Sequence, residues 1–230
     1  MSIAAPYRLL LSVVAPPRCP ACGAALSGSH DALCEACAGE LPWLGAQTCP
    51  RCALPQPCAP CPGVGRGWDE AWAPFAHEGP ARDLVVALKF RGLLAAADLL
   101  AAPLAAGPRG RRLLQGATIV AVPADPRRER RRGFDHAALI ARALARRSGR
   151  PVGACLQRPS APRQLGAGRA ARIARASRMA PTVRKTAPAR VVLVDDVHTT
   201  GATLDACARA LRQGGAETVH VMTATRALGR

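Results

Sequence analysis

Two carboxylates, Asp195 and Asp196, stand side by side just before a short loop of small and hydroxyl residues, Thr199, Thr200, Gly201, Ala202 and Thr203. Such a pair can accept hydrogen bonds from two sugar hydroxyls or help to hold a hydrated Mg²⁺. Such a loop can wrap its backbone N–H groups and Thr hydroxyls around a phosphate, with the positive end of a following helix behind it. A ribose 5-phosphate would satisfy both halves. No Gly-Lys-Ser/Thr follows the glycine, so the loop is not a P-loop. A second chemistry resides in eight cysteines. Cys19, Cys22, Cys34 and Cys37 are spaced C-x2-C-x11-C-x2-C, and Cys49, Cys52, Cys58 and Cys61 are spaced C-x2-C-x5-C-x2-C. Four thiolates from two such turns make a closed, tetrahedral, structural Zn²⁺ site. Their order favours two sequential ribbons, the alternatives being a pairing of Cys19/Cys22 with Cys49/Cys52 or a disulfide framework. Cys155 and Cys207 lie alone in apolar surroundings and read as core residues.

The acid pair needs a strand and a helix to hold it. Val191 to Val194 is a continuous aliphatic run suited to a strand buried on both faces, with the acids ending it. Leu204, Ala208 and Leu211 then recur at helical spacing. Thr118 to Val122 reads as another buried strand, Glu217 to Thr225 as the last, and Trp68 to Ala76 as a short first one. Helices are expected from Pro80, over Leu93 to Ala105, and over Ala137, Ile140 and Leu144. After the strand at 118–122 comes a loop crowded with arginines between Arg127 and Arg132. A solvated basic run is the plain reading. Its place beyond a parallel strand's C-terminal end, where such sheets bind ligands, points instead to an anion. Lys89 is expected to be a solvated helix-end residue, with pyrophosphate or base contact as the alternative.

Charge and cysteine content divide the 230-residue chain in the same place. Residues 1–75 carry four arginines against five acids, whereas 76–230 carry 28 basic residues against ten acids, so the formal net charge of +17 belongs to the second part. That field suits a polyanion, either a pyrophosphate ester or a nucleic acid. The Pro-Gly-rich stretch 62–67 is the natural linker, giving a zinc-ribbon part at 1–67 and a second domain at 68–230. No apolar run approaches the roughly 20 residues needed to cross a bilayer. Leu9 to Val14 reads as part of an N-terminal helix packed on the second domain, with a signal peptide as the alternative, and the CxxC usage fits a reducing cytosol. The stretch 156–190 has nine basic residues and no acid, with Arg169, Arg172, Arg175 and Arg178 at every third position.

Val191 to Thr203 resembles the 5-phosphoribosyl-1-pyrophosphate (PRPP) signature of type I phosphoribosyltransferases. Arg131 to Ala137, RRGFDHA, resembles the Arg-Arg-Gly-Phe-Asn-Gln-Ala segment of the ComF-like competence family, with Asp135 and His136 in place of Asn and Gln. The cysteine pairs and these two motifs occur in the ComF order, so the resemblance spans nearly the whole chain. It implies an α/β fold, a type I phosphoribosyltransferase-like parallel sheet flanked by helices and preceded by a small double zinc ribbon. It also implies PRPP and Mg²⁺ at Asp195, Asp196 and Thr199–Thr203, with Asp195 and Asp196 in the catalytic role. The pyrophosphate would fall to Arg127, Arg128, Arg131 and Arg132, and a mobile hood to 156–190, with a merely disordered basic loop as the alternative there. Ile173 stands where the family's hood has Asn, and Thr199 where oxopurine-type relatives have an acid, which argues against simple purine salvage. His198 replaces an aliphatic residue and is expected to be structural, with approach to an acceptor as the alternative. Two functions follow: phosphoribosyl transfer to an unidentified acceptor, or single-stranded DNA binding in DNA uptake alongside competence-machinery proteins. Only seven aromatics in the chain leave little for base stacking.

Overall fold

The computed structural model describes residues 17–26, 32–158, 181–184 and 186–229. The expected N-terminal helix and the arginines of the hood, Arg169 to Arg178, lie outside the described residues. Among the described residues, the cysteine-rich part contributes one short helix, α1 (Glu35–Gly39).

A parallel sheet organises the second part of the chain, in the order β1-β8-β7-β3-β4. Its strands are β1 (Glu70–Trp72), β2 (Phe75–Ala76), β3 (Thr118–Ala121), β4 (Val152–Gly153), β7 (Arg190–His198) and β8 (Thr218–Arg226). Both β1 and β2 pair with β8, so they form one edge strand interrupted at Ala73-Pro74. Proline has no N–H to donate, and an edge is where that is tolerated. β5 (Leu156–Gln157) and β6 (Thr182–Val183) form a separate antiparallel pair.

Both faces of β7 are buried, as its unbroken aliphatic run requires. Val192 and Val194 face one core with α2 (Gly79–Phe90), α3 (Ala95–Ala106), α4 (Pro108–Leu114) and α6 (His136–Ser148). Val191 and Leu193 face the other, which holds Trp68 and α7 (Ala202–Gln213). Cys155 and Cys207 are buried as expected.

Two expectations about elements are revised. β7 does not end at the acids: it runs on through Asp195 to His198 because β8 continues to pair with it, Asp195 opposite Thr223 and Val197 opposite Thr225. β3 stops at Ala121, level with Val194, so beyond that point no strand among the described residues pairs with β7 on its other side and a cleft opens. The arginine run is not a loop but a short helix, α5 (Pro126–Arg132). The Asp125 carboxylate accepts from Arg127 N at 2.9 Å, satisfying a first-turn donor, and Arg is a good helix former.

The cysteine-rich part wraps the β1–β2 edge. Trp43 bridges Phe75, and Leu44 N–H and Ala76 N–H bond to Pro74 and Pro42 carbonyls, so an otherwise open sheet edge is covered. Arg109 binds the layers together, donating to Glu70 Oε1 (2.8 Å), Thr48 Oγ1 (2.7 Å) and Ala71 O (3.1 Å). The segment 65–67 is pinned rather than free, with Gly67 N–H on Asp205 Oδ1 at 2.7 Å.

Candidate functional site

The eight cysteines form two sequential sets. Within Cys19, Cys22, Cys34 and Cys37, and within Cys49, Cys52, Cys58 and Cys61, all sulfurs lie within 4.8 Å of one another. Cys22–Cys34, Cys49–Cys61 and Cys52–Cys58 sulfurs are 3.6, 3.7 and 3.7 Å apart. A tetrahedron of Zn–S bonds of about 2.3 Å has an edge of about 3.8 Å, so the sets fit two structural zinc sites. Their electrostatics ask for a metal. Burial raises Cys19, but the N–H groups of Cys34, Cys22 and Ala21 outweigh it and bring the thiol down to about 6. In the second set Cys49 is likewise lowered to about 7, against burial, by backbone N–H groups and neighbouring thiols. Burial and crowding by the other sulfurs push Cys37 and Cys52 up, so four thiolates cannot coexist without a cation.

The cleft beyond β3 and β7 has a volume of about 330 Å³ and is lined by polar groups, among them Lys89, Asp125, His136, Arg158, Asp195, Asp196 and Thr203. Asp196 is buried, with Lys89 Nζ 2.5 Å and His136 Nε2 3.2 Å from its Oδ2. Lys89 reaches it from the last turn of α2, and His136 from the first turn of α6, whose N-cap Asp135 accepts from Ala138 N–H. Burial lowers the His136 imidazole below its usual range despite the nearby Asp196 carboxylate. Asp195 Oδ1 accepts from Asp196 N–H at 2.9 Å. Burial, and then the adjoining Asp196 charge, raise Asp195 well above the ordinary carboxylate range. A carboxyl in that position gains by meeting a cation or hydroxyl donors. His136, Asp195 and Asp196 offer ligand atoms within 4.8 Å of one another, an oxygen-rich set that fits a hard divalent ion such as Mg²⁺.

The threonine loop crosses from β7 to α7. Thr199, Thr200, Ala202 and Thr203 are exposed and Gly201 is buried at the N-cap. Gly201 has φ +75°, and a Cβ there would lie 2.8 Å from His198 Nε2 and 2.9 Å from the Trp68 ring. Only glycine fits. His198 is buried edge-on to Trp68, with ring centroids 5.5 Å apart, which is the structural alternative rather than an approach to an acceptor.

Of the residues expected to act, the cleft gathers Asp195, Asp196 and Thr203, while the loop carries Thr199, Thr200, Gly201 and Ala202 beside it. The arginines stand elsewhere. Arg127, Arg128, Arg131 and Arg132 belong to α5, whose start adjoins Asp125 at the cleft, and the cleft lining among the described residues does not include Arg127, Arg131 or Arg132. Arg132 lies over the Phe90 ring at 4.8 Å, with Nη1 3.4 Å from His136 Nδ1. Among the described residues, the cations lining the cleft are Lys89 and Arg158. Lys89 was expected as a solvated helix-end residue, with pyrophosphate or base contact as the alternative, and Arg158 was legible as one of many in a basic stretch. Arg226 gave no signal at all, yet it is buried and donates to His198 O and Thr199 O at 2.6 Å each.

Known proteins are similar to this chain in sequence. The double zinc ribbon domain family matches residues 10–66, and the phosphoribosyl transferase domain family matches residues 138–228. DNA utilization protein YhgH of Salmonella typhimurium is 31% identical over 227 residues, covering 93% of this chain and 98% of that protein. The protein of the same name from Salmonella typhi gives the same identity and coverage. With both domains present in order and a relative aligned over nearly its whole length, the chain belongs to the ComF-like family that includes DNA utilization protein YhgH.

Proposed function

We propose that this protein binds PRPP with Mg²⁺ in the cleft beyond β3 and β7 and transfers its phosphoribosyl group to an acceptor. Residues 68–230 form the phosphoribosyltransferase-like part, and 1–67 the zinc-ribbon part. The observation that carries this reading is the meeting of two carboxylates and an exposed threonine loop at a helix start on one cation-bearing cleft. Asp195 and Asp196 hold the ribose hydroxyls and the metal, and Thr199, Thr200, Gly201, Ala202 and Thr203 hold the 5-phosphate. Lys89 and Arg158 meet the pyrophosphate inside the cleft, and Arg127, Arg128, Arg131 and Arg132 meet it at the rim. When bound, Mg²⁺ supplies charge neutralisation at the departing pyrophosphate. The side chains supply order and a fixed cationic environment, which need not reorganise as charge develops. Calorimetric titration of the zinc-loaded protein tests this. Saturable PRPP binding with Mg²⁺ is expected, falling at least about tenfold in Asp195→Asn/Asp196→Asn, since hydrogen bonds to charged groups are worth about 1.5–3 kcal/mol. Equal binding by wild type and variant would overturn it.

A second reading, single-stranded DNA binding, is supported by the relatives' printed name and by the arginine-rich surface. One basic cleft can receive either a phosphate ester or a phosphate backbone.

A further inference from the structure

Three successive carbonyls of the second zinc knuckle are each taken by a donor from the sheet domain. Pro50 O accepts from Ala71 N–H (2.7 Å), Arg51 O from Trp68 Nε1 (2.7 Å) and Cys52 O from Arg226 Nε (2.8 Å). Two of these donors also hold the threonine loop. Arg226 Nη1 binds the His198 and Thr199 carbonyls, and Trp68 packs on His198 and against Gly201. A third grip comes from Arg66 beside the knuckle, which donates to Thr200 O at 3.1 Å. A single guanidinium therefore joins the backbone of a zinc ligand, Cys52, to the backbone of the loop.

We propose that the second four-cysteine zinc centre, acting through Arg226, sets the geometry of the Thr199–Thr203 loop, so that Arg226 is a positioning residue and that zinc governs ligand binding. The ligand half of this rests on reading the loop as a 5-phosphate cradle. The charge arrangement gives the reason for a metal here. Arg226 is 4% exposed, and among the described residues no carboxylate pairs with it. Four thiolates around Zn²⁺ carry two net negative charges, and Cys52 places that centre beside the guanidinium. A zinc–thiolate centre beside it is the counter-charge that a buried guanidinium requires. The knuckle also has little apolar core of its own, so metal loss releases the Cys52 carbonyl as well. The first zinc set is a built-in control. Cys19, Ala21 and Cys37 pack into the core formed with α2 and α3, and no hydrogen bond or ion pair among the described residues joins that set to the loop.

Amide hydrogen exchange on the full chain tests the coupling without any ligand. Arg226→Lys keeps the positive charge but loses the fork that spans the two backbones. It is expected to retain both zinc ions and the protection of the core strands, while exchange at residues 198–204 rises about tenfold or more, the worth of a lost charged hydrogen bond. Cys58→Ser, which removes a second-site ligand, is expected to loosen the same amides, whereas Cys22→Ser is expected to lose one zinc and leave them unchanged. Unchanged loop exchange in Arg226→Lys, or equal loosening by Cys22→Ser and Cys58→Ser, would overturn the proposal. Titration of the same proteins with PRPP and Mg²⁺ separates the two ideas: loop loosening in the variants alongside a wild-type protein that binds no PRPP would count against the ligand reading alone.

Discussion

Asp195 and Asp196 are neighbours in sequence with different surroundings. Lys89 and His136 already compensate Asp196, whereas Asp195 is left with the larger cost of carrying charge. Residue types and spacing announced the acid pair and the loop, because strand, acids and glycine are consecutive in the chain. Arg226 was invisible for the opposite reason: its acceptors are 174 residues away at Cys52 and 28 away at His198, and no local pattern reports such a contact. His198 carries a prediction at this scale. Burial, then the nearby Arg226 and Arg66 charges, lower its imidazole to about 3, so the folded protein keeps it neutral. The unfolded chain takes up that proton below about pH 6.5, so stability should fall as pH drops from about 6.5 toward about 3 and be insensitive to this group above that window. Burial lowers His77, His136 and His220 in the same direction, so a variant is needed to isolate one ring. Between pH 7 and 5, urea unfolding of His198→Gln should lose about 2 kcal/mol less than wild type, from roughly 1.4 kcal/mol per unit. Identical pH dependence would place the proton elsewhere.

Elements decide where the cleft is. β3 ends level with Val194 and β7 does not, and that inequality, rather than any side chain, opens the cleft at the carboxylates. The strands themselves were legible because a doubly buried strand is an unbroken aliphatic run. Their ends were not, because strand length depends on the neighbour that pairs with it. The arginine stretch reads as a loop for a related reason: charge density hides the helical propensity of Arg and the Asp125 bond at its start. The zinc ribbons act as an element of the sheet domain, since 42–44 and 48–52 cover and bond its β1–β2 edge. Stripping both metals with a chelator should therefore expose a strand edge and promote self-association. Light scattering and sedimentation on the same sample, before and after chelation and after zinc return, check this. A chelated chain that stays monomeric would show that the ribbon does not guard the edge.

At the scale of the molecule, one protein combines a near-neutral zinc-ribbon part with a strongly basic sheet domain. Part of that charge is spent internally: Arg109 and Arg112 pair with Glu70, and Arg146 and Arg147 with Asp98. The remainder predicts sequence-tolerant contact with single-stranded DNA that weakens steeply with salt, since each neutralised phosphate contributes a slope of about −0.7. Fluorescence anisotropy with oligo(dT) and oligo(dA) between low and moderate salt checks it, and a shallow slope or a strong base preference would contradict backbone tracking. Such general attraction to polyanions makes specificity the decisive issue for the phosphoribosyl site. The most direct measurement is calorimetric titration of the zinc-loaded protein with PRPP, pyrophosphate and ribose 5-phosphate, each with and without Mg²⁺. A single saturable PRPP site that requires Mg²⁺ and binds at least about tenfold tighter than either fragment, about 1.4 kcal/mol, is the expected result. PRPP that binds no better than pyrophosphate, and equally well without Mg²⁺, would reduce the cleft to a basic surface and contradict a phosphoribosyl function.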